Sequence, residues 1–180
     1  MKIDGKKITT EELAARVSTV LQEHGIDALL VGGACVSIYT ANQYISGDLD
    51  FVSFASIKEI GPVLRDVGFV QKSSRHFEKR GCPFFIEFVA PPPAIGSEPV
   101  KKIRRLKTRA GIIMLLTPTD SVKDRLASYY HWNDRQALEQ AIMVARVQRI
   151  HFNEVKRWSI KEGYEEKYHK FVVEIGKKGA

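Results

Sequence analysis

Apolar residues come in short interrupted clusters through the first two thirds of the chain and at sustained helical spacing through the last third. Leu13, Val17, Val20 and Leu21 share one helical face; Thr9 stands three residues before Glu12 as a capping box, and Gly25 can end the helix. Ala28-Leu29-Leu30-Val31 is a brief apolar run cut by Gly32-Gly33, which predicts a buried strand turning into a second helix through Ala34, Ser37 and Ile38. In Asp48-Leu49-Asp50-Phe51-Val52 the period is two: Leu49 and Phe51 share one face, and Asp48 and Asp50 the other. Ile57, Ile60 and Leu64 predict a third helix over 56–67, with Pro62 as a distortion and Gly68 as the stop.

Residues 69–71 and 77–79 can pair as a ragged hairpin, and Phe84 to Val89 reads as a stronger strand closed by Pro91-Pro92-Pro93. Two more strands are expected at 100–108 and 111–116. From Thr117-Pro118-Thr119-Asp120 onward the spacing is helical, through Val122, Leu126 and Tyr129, then Leu138, Ile142 and Ala145, then Val155 and Trp158. The fold class is therefore α+β: a mixed β-sheet core flanked by helices over residues 1–117, followed by a helical C-terminal region, 118–180, packed on that core. The tail from Gly176 to Ala180 is expected to fray.

At 180 residues, 44% hydrophobic and 27% charged, the composition is that of a globular chain. No apolar run approaches the ~20 residues of a membrane helix, and the opening MKIDGKKITTEEL lacks the apolar stretch of a secretory signal; the expectation is a cytoplasmic protein with no membrane partner. Cys35 and Cys82 show no C-x-x-C spacing, so they read as reduced thiols, neither a zinc site nor a disulfide framework.

The net charge of +7 draws in phosphates, whether on a nucleotide or on nucleic acid. Lys101, Lys102, Arg104, Arg105, Lys107 and Arg109 fall within nine positions. That segment reads either as a solvated edge strand protected by charge or as a polyanion contact.

Two carboxylates at i and i+2 on a strand project from one face with Cα atoms ~6.5 to 7 Å apart, close enough to converge on one cation. Magnesium, with manganese as a substitute, suits such hard oxygen donors and completes its shell with substrate phosphates and water. Glu87 is a candidate third acid, because Phe84-Phe85-Ile86-Glu87-Phe88-Val89 is otherwise apolar and a lone carboxylate there is costly to desolvate. Taken singly, Asp48 and Asp50 could also cap a turn or face water, and Glu87 could pair with a basic side chain. Gly32-Gly33 fits a strand-to-helix turn whose amides receive a triphosphate. The five histidines are scattered without metalloprotease spacing, and no Walker loop or nucleophile elbow is present; each His reads as a surface or helix-end residue. Trp132, Trp158, Tyr129 and Tyr130, at helical positions, read as core.

Val31-Gly32-Gly33, then fourteen positions, then Asp48-Leu49-Asp50-Phe51 resembles the defining motif of the DNA polymerase beta-like nucleotidyltransferase superfamily, with Glu87 in the place of its third acid. Within it the chain is similar to minimal bacterial nucleotidyltransferases, including toxin components related to the abortive-infection nucleotidyltransferases. The resemblance covers about residues 27–145. It implies that Asp48, Asp50 and Glu87 are catalytic and hold the metal, and that Gly32, Gly33 and the Ser46 hydroxyl touch the nucleotide. It also implies a basic residue for the triphosphate on the helix after Thr117, Lys123 first and Arg125 second, with Asp134 orienting Lys123 or the nucleotide. Ordinary helix surface and N-capping are the alternatives for these last three. Family members often carry Arg four before the first Asp, where this chain has Tyr44.

The function so implied is transfer of a nucleoside monophosphate from a nucleoside triphosphate to a hydroxyl acceptor, RNA (such as tRNA) or protein, with a toxin role and an antitoxin protein partner. The alternatives are a catalytically silent nucleotide- or RNA-binding module of the same fold and a small-molecule nucleotidyltransferase of the antibiotic-modifying kind.

Overall fold

The computed structural model describes residues 8–177; the opening heptapeptide and the last three residues of the expected frayed tail lie outside them. The first element among the described residues is α1 (Thr10–Glu23), capped by Thr9, whose hydroxyl accepts from Glu12 N at 3.1 Å. The first strand, β1 (Leu29–Val31), passes directly into α2 (Gly32–Tyr39), the left-handed Gly32 making the strand-to-helix turn at the start of the helix. Next come β2 (Asp48–Val52) and α3 (Ile57–Asp66), opened by Ser56, whose N–H and hydroxyl both donate to Glu59. Pro62 lies within α3 without ending it. The short hairpin β3 (Val70–Gln71) and β4 (His76–Glu78) leads to β5 (Phe85–Val89).

The residues after the prolines form a small hairpin that periodicity did not indicate, β6 (Ala94–Ile95) with β7 (Glu98–Pro99). Two-residue strands carry no legible alternation. Beyond it lie β8 (Ile103–Thr108), β9 (Gly111–Leu116) and four helices: α4 (Pro118–Trp132), α5 (Arg135–Val147), α6 (Phe152–Lys161) and α7 (Glu165–Gly176).

Seven strands make one mixed sheet in the order β3-β4-β5-β2-β1-β9-β8. Its apolar face carries Leu30, Phe51, Phe88, Ile86, Phe77, Leu115 and Ile113, all buried, with α1, α2 and α3 packed against the sheet. The opposite face is polar at one end, and register determines which residues meet there. Asp50 pairs with Glu87 across parallel β2 and β5, Glu87 with His76 across antiparallel β5 and β4, and Asp50 with Val31 across antiparallel β2 and β1. Leu30 pairs with Leu115 and Leu116 with Ile103, which extends the same row to the far edge. The segment from β5 to β8 crosses this face, its Pro92, Pro93, Ile95 and Val100 lying over Val31, Val52 and Leu116 around a cavity of about 120 Å³.

The C-terminal helices share the core with the sheet. Tyr39 in α2 donates to Leu116 O at 2.5 Å, and Gln148 after α5 donates to Tyr39 O at 2.9 Å. Trp158 in α6 is fully buried, stacks on Tyr130 at 5.5 Å and donates to Ile95 O at 3.1 Å, tying the small hairpin to the helices. Trp132 departs from the core expectation: it ends α4 beside the left-handed Asn133 and is 77% exposed.

Candidate active site: carboxylates at the end of the sheet

Alternation along β2 buries Leu49 and Phe51 and turns Asp48 and Asp50 to the polar face, where both are half-buried. Glu87 alternates the same way along β5, between buried Ile86 and Phe88, and is exposed. Paired residues on neighbouring strands lie ~4.8 Å apart at the backbone, so Glu87 stands beside Asp50. Burial and then the charges of Asp48 and Glu87 push the Asp50 carboxyl up to about 7, against a smaller opposing pull from Arg125.

The glycines are packed hard against these groups. Gly32 has φ +70°, and a Cβ on it would lie 2.5 Å from Asp50 Oδ2; one on Gly33 would lie 2.6 Å from Ser46 Oγ. Only glycine fits at Gly32, for both backbone and steric reasons. Ser46 is buried; its hydroxyl donates to Asp48 Oδ1 at 2.6 Å and its N–H to Ser37 Oγ at 2.9 Å. The hydroxyl thus holds an acid in place, where a phosphate contact was expected.

The two basic candidates separate. Lys123 is buried and surrounded by Asp120 Oδ1 at 3.3 Å, Glu98 Oε2 at 3.6 Å and Glu154 Oε1 at 3.7 Å, with its ammonium 5.7 Å from the Trp158 ring centre. None of these partners belongs to β2 or β5. Arg125 is the α4 cation whose charge reaches Asp50, and it is held by Asp124 Oδ2 at 2.6 Å and 3.0 Å. Adjacent helix positions differ by ~100° in direction, so two residues two apart face opposite ways. Asp134 is not brought to Lys123: it is exposed and N-caps α5, accepting from Ala137 N at 3.1 Å.

Two neighbours escaped the sequence reading. His76, taken there for an ordinary surface residue, lies directly across from Glu87, with its ring 4.5 Å from Phe85 and its Nε2 2.9 Å from Glu78 Oε1. No motif marks it, because the ragged hairpin hides its phase. Asp124, beside Arg125, is not singled out by any pattern in the sequence; it lines the small cavity with Val31 and Val52.

Among the described residues no three His, Cys, Asp or Glu side chains are gathered tightly enough to cage an ion by themselves. The donor set nevertheless fits a magnesium ion of the kind completed by substrate. It offers two same-face carboxylates and a third beside them, and the burial that lifts Asp50, with the repulsion of its two neighbours added, invites a cation.

This arrangement is that of a nucleotidyltransferase-like α+β fold. The crystal structure of an antigenic nucleotidyltransferase-like protein from Paracoccidioides brasiliensis is similar to it, with a TM-score of 0.54, 16% identity and coverage of 76% of this chain and 77% of that one. No family model matches the chain, and no curated protein matches it in sequence. No helix among the described residues is long and apolar enough to cross a membrane.

Proposed function

We propose that the protein transfers a nucleoside monophosphate from a nucleoside triphosphate to a hydroxyl acceptor, RNA or protein. The observation that carries this reading is the row in which Asp50, repelled by Asp48 and Glu87, sits against the Cβ-free surface of Gly32. A bound magnesium ion, with manganese able to replace it, would be held by Asp48 and Asp50 with help from Glu87 and would offset charge on the triphosphate.

The chain's own groups supply the rest. The free amides at the start of α2 receive phosphate oxygens, and Gly32 and Gly33 allow the close approach. Arg125 adds positive charge on the side of Asp50. Glu87, exposed at the edge of the row, takes the proton of the acceptor hydroxyl. That oxygen bonds the α-phosphorus as the bond to the bridging oxygen breaks, and pyrophosphate leaves with the bond's electron pair. Most of the rate comes from positioning and electrostatics, and no covalent enzyme intermediate is required.

Incubation with each α-labelled nucleotide and magnesium in total cell extract, followed by separation of RNA, protein and small molecules, tests the reading. Label entering RNA or protein, and absent with Asp48→Asn, supports it. Label entering small molecules instead supports the antibiotic-modifying kind of transferase, and label entering none of the three leaves the silent binding module. A toxin role, by analogy with the toxin-like members, predicts growth arrest on expression that a small neighbouring antitoxin relieves and Asp48→Asn abolishes.

A further inference from the structure

β8 is the last strand of the sheet, and among the described residues its outer edge pairs with nothing. With its flanking residues it is also the most basic stretch of the molecule: Lys101, Lys102, Arg104, Arg105, Lys107 and Arg109 are all exposed. None of the six forms an ion pair among the described residues. The strand's two faces use their cations differently. Arg104 turns to the helix side, where its guanidinium lies 5.4 Å from the Tyr39 ring centre. Arg105 and Lys107 alternate with it and share the face of Ile103, the residue at the end of the Asp50 row.

We infer that this edge docks single-stranded RNA and delivers its end to the carboxylate row; the delivery rests on the proposed transfer reaction, the docking does not. The five residue steps of β8 from Ile103 to Thr108 span ~17 Å, and Lys101, Lys102 and Arg109 lengthen the basic track at its two ends, room for a segment of about four nucleotides. The cations match the spaced charges of a phosphate backbone. The open strand edge presents unpaired N–H and C=O groups, which a ribose 2′-hydroxyl, both donor and acceptor, can satisfy and a deoxyribose cannot. At its start the ribbon opens on a cavity of about 420 Å³, where Lys101, Lys102 and Arg149 make no ion pair among the described residues while Arg157 and Lys123 are taken up by the carboxylates that share the lining. At its far end Glu11 and Glu12 line a groove with Arg16, Lys107 and Arg109, so carboxylates flank the ribbon at both ends and its own cations carry the phosphate contact. β8 lies three strand spacings from β2, ~14 Å, with the crossover from β5 between them. A single-stranded end passing over that crossover reaches Asp50; a rigid duplex docked along the edge does not.

The test is anisotropy of a labelled single-stranded RNA oligonucleotide over a salt series, without nucleotide or magnesium. The probes are the parent, a Lys101→Gln, Arg105→Gln, Lys107→Gln triple variant and a charge-conserving Lys101→Arg, Arg105→Lys, Lys107→Arg variant. The neutral variant is expected to bind at least about tenfold more weakly at low salt and to lose ~2 from the log–log salt slope. The charge-conserving variant keeps the parent's slope, and circular dichroism separates lost charge from lost fold. Parent-like binding by the neutral variant, or equal affinity of the parent for DNA of the same sequence or for polyglutamate, overturns the assignment. If binding falls as expected but neither protein labels RNA, the transfer reaction fails and the docking edge stands. If both label RNA at the same rate, the reaction stands and the edge does not.

Discussion

Two clusters of carboxylates solve the same electrostatic problem in opposite ways. Around Lys123, the carboxylates of Glu98, Asp120 and Glu154 are met by Lys123, Arg157 and Lys161. Hydrogen bonds from Arg157 and Lys161 and nearby positive charge hold the Glu98 carboxyl down at about 2, against a smaller desolvation penalty. At the end of the sheet Asp48, Asp50 and Glu87 have no such neutralisation, and burial with mutual repulsion pushes Asp50 up to about 7. The first cluster is complete and joins the small hairpin to α4 and α6. The second is short of positive charge, which the magnesium and nucleoside triphosphate of the proposed reaction would supply.

That contrast can be broken by substitution. Asp48→Asn is expected to lower transfer at least about 10³-fold, equivalent to ~4 kcal/mol of barrier, with the unfolding midpoint within a few degrees of the parent. Lys123→Met should do the reverse: a stability loss of about 3 kcal/mol from stranding Asp120 and its partners, read by urea denaturation, with kcat per folded molecule nearly unchanged. A large catalytic loss at Lys123 without a stability loss would make it the triphosphate ligand and erase the distinction.

The two clusters also predict opposite pH slopes in chelator. Asp50 has a raised folded value, so the native state holds its proton longer than the unfolded chain does. Stability is then lost as pH rises from about 4 to about 7. Asp50→Asn removes this cost and should stabilise the protein by on the order of 2 kcal/mol above pH 7, while abolishing transfer. Glu98 is depressed, so its contribution is present above about 4.5 and disappears as pH falls toward about 2. Glu98→Gln should cost ~1 kcal/mol at neutral pH and flatten the acid limb. Thermal melts from pH 3 to 8 check both slopes; slopes of the same sign would show that the clusters do not differ as described.

Helices with strong local signals were legible beforehand: Thr9 and Glu12 begin α1, and Thr117 with Pro118 opens α4. The pairing of Asp48 with Asp50 on one face was equally plain, because a period of two needs no partner strand. The 94–99 hairpin was not, since its strands are too short to alternate. His76 was missed because its importance comes from the residue across the ladder, and Lys123 was favoured over Arg125 because both sit on the same helix with nothing local to set its rotation. Asp134 looked functional and is an N-cap, a role the pattern Asn133-Asp134-Arg135 fits equally well.

The sequence by itself determined which side chains share a face within each strand and helix, where the backbone must accept a residue without a Cβ, and that positive charge gathers at 101–109. Those are properties of a few consecutive residues and of fixed periods. Only the tertiary structure decided that β5 lies parallel to β2 with Glu87 level with Asp50, that α4 turns Lys123 away from the acids and into its own network, and that the basic strand forms the open edge on their face. Register between distant strands and the rotation of a packed helix are set by the whole core at once, and no local window of the chain contains them.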